Sequence, residues 1–192
     1  MITVTEWASR IVPWLVVGLV AIGAGAVPLY VSRARHTSRA HAAAWTAQDA
    51  LVVAALMSIL AFTVGPGSAL DGDPSVSLRP FSDLLRVFDL SRLLVGITVG
   101  NLVGNVLLFM PLGVALALRY RGLGMLAAVA LGAGLSFAIE AWQALSGIGR
   151  NADVVDVLMN SLGVAIGYLV MRTLGPIPPE FVGGTHTPNR AR

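Results

Sequence analysis

The sequence predicts an all-α, polytopic membrane helix bundle with about five transmembrane helices and a short interfacial helix. Three observations lead there. Hydrophobic residues fill 56% of the 192 positions and charged residues only 12%, whereas a soluble domain carries about 25% charged residues because its surface must face water. The mean hydropathy is +0.78. The apolar residues fall into five runs of about 18–23 residues, each enough to cross a hydrocarbon core of about 30 Å at 1.5 Å per helical residue.

The first run spans about Ile11 to Val31 and the second about Ala47 to Val64. The third spans about Thr98 to Leu118, the fourth about Leu123 to Leu145 and the fifth about Val154 to Met171. They divide the chain into three parts. Residues 1–64 hold two N-terminal spans and a basic loop, 65–172 an outer loop and a three-span core, and 173–192 a tail. Ala24-Gly25-Ala26 follows the first apolar run as a signal-peptidase site would. The basic cluster comes after that run rather than before it, and this reversed polarity argues against cleavage.

Orientation follows from arginine, the basic residue at all 13 Lys or Arg positions. Arg33, Arg35, Arg39, Arg119, Arg121, Arg172, Arg190 and Arg192 fall on one side, and Arg10, Arg79, Arg86, Arg92 and Arg150 on the other. The positive-inside rule places the larger set in the cytoplasm, with the N-terminus outside and the C-terminus inside. The loop from Gly65 to Arg92 becomes amphipathic at Phe81, Leu84, Leu85 and Phe88, with Ser82 as a cap, and is expected to lie as a short helix in the outer interface. The Pro-, Gly- and Thr-rich tail after Leu174 reads as disordered. Trp7, Trp14, Trp45 and Trp142 sit near the expected interfaces.

Composition also excludes functions. The pI near 10.2 comes from scattered charges, not a basic stripe interleaved with aromatics, so no nucleic-acid partner is expected. Cysteine is absent, which removes disulfides, thiolate chemistry and cysteine metal sites. No zinc-binding H-E-x-x-H, phosphate loop, G-x-G-x-x-G or G-x-S-x-G motif is present. Neither a metal nor a cofactor is expected. His36 and His41 lie across the membrane from the acids, which argues against a Ser–His protease.

The remaining signal is a polar stripe. An ionisable side chain within a span costs about 2.5–3.5 kcal/mol on insertion scales, so it marks a functional candidate. Gly132, Ser136, Glu140, Gln143 and Gly147 share one face of the fourth span, and Asp153, Asp156, Asn160, Gly163 and Gly167 one face of the fifth. Asn101 and Asn105 lie one turn apart at the start of the third. The arginine-derived topology puts all three of these ends outside, where Arg150 in the connecting turn is the natural counter-charge. Helix packing is the competing reading: Gly163-x3-Gly167 permits close approach, amides hydrogen-bond across helices, and Asp153 suits a helix cap. Pro111 is read chiefly as a structural hinge.

Three functions remain open on these residues. The cluster binds the polar head of a membrane lipid or cell-wall precursor, or Glu140 and Asp156 act as an acid/base pair of a membrane enzyme, or the stripe serves assembly alone. Neither an enzymatic role nor the oligomeric state is decided.

The combined pattern Asn101-x3-Asn105-x3-Phe109-x-Pro111-x-Gly113, then Glu140-x2-Gln143, Arg150, Asp153-x2-Asp156-x3-Asn160-x2-Gly163 resembles the VanZ-like family over about residues 76–170. The resemblance implies a small multi-pass protein of the bacterial plasma membrane and a link to the glycopeptide teicoplanin, resistance to which is associated with the founding member. It implies no defined reaction. Two positions depart from the family pattern. Ser77 stands where an Asn precedes Leu-x-Pro-Phe, and Val155 where a further acid is frequent. With one carboxylate fewer, Arg79 is expected to join Arg150 in contacting an anionic group.

Overall fold

The computed structural model describes residues 4–63, 76–77, 92–146 and 152–174. Within them lie helices α1 (Val4–Ala34), α2 (Arg39–Thr63), α3 (Arg92–Arg119), α4 (Met125–Ser146) and α5 (Val154–Thr173). Each contains a stretch long and apolar enough to cross a membrane. A minimal parallel pairing joins β1 (Val76–Ser77) to β2 (Ala152–Asp153), the segments that lead towards α3 and α5. The predicted interfacial helix over Phe81–Phe88 and the tail after Leu174 lie outside the described residues.

The first two helices approach each other more closely than hydropathy predicts, with only Arg35–Ser38 between them. Local chemistry explains the early start of α2. Ser38 Oγ accepts the His41 backbone N–H at 3.3 Å, and the Ser38 carbonyl accepts that of Ala42 at 2.9 Å. A serine that satisfies an orphan N–H of the first turn is a strong N-cap. Arg33 and Asp49 then pair across the hairpin at 2.5 Å, so Arg33, which the hydropathy reading assigns to a loop, is carried by helix. Helix α3 continues through Pro111 without a break.

The two most closely joined helices are α3 and α5, with α4 packed on α5, α2 on α3, and α1 on α2. Glycine sets the α3–α5 distance. A methyl group at Gly163 would collide with the Val106 carbonyl, one at Gly167 with that of Met110, and one at Gly113 with that of Val164. Backbone thus meets backbone along the seam, as small-x3-small packing in a membrane allows. Val164 is fully buried and also fills the space over Gly132 of α4, where an added Cβ would stand 2.5 Å from its Cγ2. Phe109 and Ile59 complete the buried centre. Large exposed side chains such as Leu126, Phe137 and Val20 cover the outside, as expected where lipid replaces water. This is a multi-pass membrane protein.

The ends of the bundle are chemically distinct. At one, Asp49 of α2 accepts from both Arg33 of α1 and Arg119 of α3. At the same end Tyr168 of α5 donates to the Leu123 carbonyl at 2.5 Å, and Arg172 caps the neighbouring Arg121 carbonyl at 2.7 Å. Helices α3 and α5 therefore run parallel, with α4 antiparallel between their ends. The starts of α3 and α5 and the finish of α4 share the opposite end.

Candidate functional site

That opposite end gathers much of the predicted polar stripe. Asp153 is extended (φ −130°, ψ 131°) and caps α5, with its side chain accepting the Val155 N–H at 2.9 Å. Its own backbone N–H donates to Glu140 Oε2 of α4 at 2.9 Å. Asp156, in the first turn of α5, accepts from Asn105 Nδ2 of α3 at 2.5 Å. One turn deeper, Asn160 Nδ2 donates to Ser136 Oγ at 2.8 Å. Gln143 donates to the Thr63 carbonyl at the end of α2, at 2.9 Å.

These bonds tie α5 to both neighbours and α4 to α2. The accumulation of acids has a local cause: Asp153, Asp156 and Glu140 surround the start of α5, where unpaired N–H groups and the helix dipole favour negative charge. Burial is deep. Ser136 is 0% exposed, Asn160 4%, Gln143 6% and Glu140 9%. Among the described residues Asn160 Oδ1 has no hydrogen-bond partner, and a buried acceptor left unmatched costs about 1–3 kcal/mol. The cluster thus extends about 9 Å along α5, measured from its first residue to Asn160 at 1.5 Å per residue.

Not every predicted residue is drawn in. Asn101 is exposed on α3, one turn before Asn105. Arg79 and Arg150 lie outside the described residues. Val155, the departure from the family pattern, is buried at 5% exposure, so an apolar side chain suits the place it occupies. Glu140 and Asp156, the acid/base candidates, each accept a hydrogen bond from a different partner. Among the described residues no group of three or more His, Asp or Glu side chains is arranged to hold a metal ion.

Two contributions went unforeseen. One comes from α2, which offers its terminal Thr63 carbonyl, a backbone atom with no signature in residue type. The other is the Arg33–Asp49–Arg119 set at the opposite end. Its signal was present, since Asp49 is an acid within an apolar span.

Comparison with protein families finds a match over residues 50–175 to a model described as VanZ/LLP1. The match includes α2 from its fourth turn onward, so it reaches further towards the N-terminus than the motif residues. Neither the curated proteins nor the solved structures give a match. The matched stretch contains every residue of the polar cluster described above and covers most of the chain, and the protein belongs to the VanZ/LLP1 family.

Proposed function

We propose that the polar cluster at the start of α5 binds the polar head of a lipid or lipid-linked cell-wall component in the outer leaflet of a bacterial plasma membrane, and that this binding alters susceptibility to glycopeptides such as teicoplanin. The observation that carries the reading is the meeting of Asn105, Glu140, Asp153 and Asp156 from three apolar helices at one depth. Carboxylates and amides sunk into a bundle are costly unless they have partners, and here one buried acceptor, Asn160 Oδ1, remains unmatched among the described residues. A hydroxyl or ammonium donor on a headgroup answers that need. Arg150 and Arg79, on the same predicted side, supply positive charge for an anionic portion of the ligand. Cytoplasmic placement of the basic end follows from the positive-inside rule and sets the cluster facing the cell wall.

Lipid that co-purifies with the full-length protein provides the test. Mass spectrometry is expected to find a polar lipid or cell-wall precursor retained by the parent protein and lost from Asn105→Ala and Asp156→Asn at unchanged elution volume and helicity. Retention of the same lipid by both variants would overturn the pocket. Glu140→Gln keeps an acceptor for the Asp153 N–H but abolishes acid/base capacity. Binding that survives this change, with teicoplanin susceptibility also unchanged, separates ligand binding from a reaction at Glu140.

A further inference from the structure

At the basic end, away from the polar cluster, α2 and α4 make no extensive contact with each other. Between them, over α3, lies an open groove of about 740 Å³. Its walls are apolar, formed by Val52 and Leu56 of α2, Leu112 and Leu116 of α3, and Leu131 and Leu135 of α4. The mouth differs. Tyr120 and Gly122 line it and flank Arg121, while the Arg119 guanidinium carbon stands 5.3 Å from the Tyr120 ring centroid. Arg119 bonds Asp49 through Nε, which leaves its terminal nitrogens available to a further acceptor.

Charge and depth together define the occupant. Among the described residues this end carries Arg33, Arg35, Arg39, Arg119, Arg121 and Arg172 against a single acid, Asp49. Surface arginines of this kind attract anionic lipid headgroups. From Met125, where α4 begins, to Leu135 is about 15 Å at 1.5 Å per residue. Half of a hydrocarbon core of about 30 Å is the same length, so the groove reaches from the headgroup level to the bilayer midplane. An amphiphile with an anionic head and a chain one leaflet long matches both dimensions.

We propose that this groove binds an anionic phospholipid of the leaflet at the arginine end. One acyl chain lies on α3 between α2 and α4, and the phosphate is held by Arg119 and Arg121 beside Tyr120. The site is independent of the polar cluster and stands whether or not that cluster binds a ligand.

Native mass spectrometry of the full-length protein in detergent tests it, with phosphatidylglycerol and phosphatidylcholine of identical acyl chains as probes. Phosphatidylglycerol is expected to bind about tenfold more tightly, and Arg121→Gln to remove roughly fivefold of that preference. Arg35→Gln, at the same end but off the groove, is expected to keep it. Leu131→Trp fills the groove from a position already 57% exposed, so it is expected to weaken both lipids without unfolding the chain; Leu135→Trp serves as a second filling variant. Glycerol 3-phosphate, which has the anion and no chain, is expected not to displace the lipid. Equal affinity for the two lipids overturns the proposal, as does phosphatidylglycerol binding that is indifferent to both tryptophans or displaced by glycerol 3-phosphate.

Discussion

Asp49 holds two guanidinium groups from two other helices while its own side chain remains only 23% exposed. In that setting neither arginine has another carboxylate within the described residues to turn to, so the acid's removal leaves two cations facing each other at the edge of the apolar core. Hydrogen bonds to charged groups contribute about 1.5–3 kcal/mol each where water is largely excluded. Asp49→Ala is therefore expected to destabilise the folded protein by about 1.5–3 kcal/mol after partial rehydration of the arginines, read as a lowered Tm in detergent. Asp49→Asn is expected to fall between the two, because an amide oxygen still accepts one N–H. Ser136 presents the opposite case, a neutral partner in a fully buried place. Ser136→Ala leaves the Asn160 amide without its acceptor as well as with its unmatched oxygen, and is expected to cost about 1–3 kcal/mol. Adding Asn160→Leu is expected to recover part of that loss, since the polar group that lacks partners is then gone; a double-mutant cycle by thermal unfolding measures the coupling.

Among the elements, α3 and α5 define the fold because their glycines admit backbone contact. Gly167→Ala places a methyl group against the Met110 carbonyl, and no side-chain rotation relieves a clash with backbone. Overpacking of this kind costs about 1–3 kcal/mol. Gly104→Ala offers a matched control on α3, where none of the described residues lies within 4 Å of the added carbon; it is expected to be neutral or to stabilise by up to about 1 kcal/mol through helix propensity. Equal effects of the two substitutions on Tm would sink the packing argument. The same contrast explains what was legible in the sequence. Helix existence and the shared polar face of Glu140 and Gln143, or of Asp153, Asp156 and Asn160, are local matters of period and length, readable without any partner. The identity of partners is not local. Arg119 meets Asp49 across 70 positions and Gln143 meets the Thr63 carbonyl across 80, and the second of these uses an atom every residue possesses. Helices α1 and α2 extend beyond their apolar runs at the turn between them because arginines, which read as loop, have long stems that let a helix continue to the interface.

The molecule as a whole is polarised, and its polarity makes orientation testable. Glu140, Asp153 and Asp156 gather at one end, while among the described residues Asp49 stands alone among arginines at the other. Five candidate spans among the described residues put the start of α1 and the end of α5 on opposite sides, and the positive-inside rule predicts a cytoplasmic basic end. The chain contains no cysteine, so a single introduced thiol reports without background. Ser146→Cys, at the end of α4 that carries Glu140 and Gln143, is expected to react with a membrane-impermeant maleimide in intact cells. Thr37→Cys, in the α1–α2 turn, is expected to react only after permeabilisation. The reverse pattern would invert the protein and with it the functional reading, because the polar cluster would then face the cytoplasm and lie out of reach of components displayed towards the cell wall. The groove at the arginine end would survive that inversion as a site, since anionic headgroup and acyl chain are presented by the leaflet it opens into, whichever leaflet that is. Labelling at these two positions therefore separates the two binding proposals without altering a residue assigned to either.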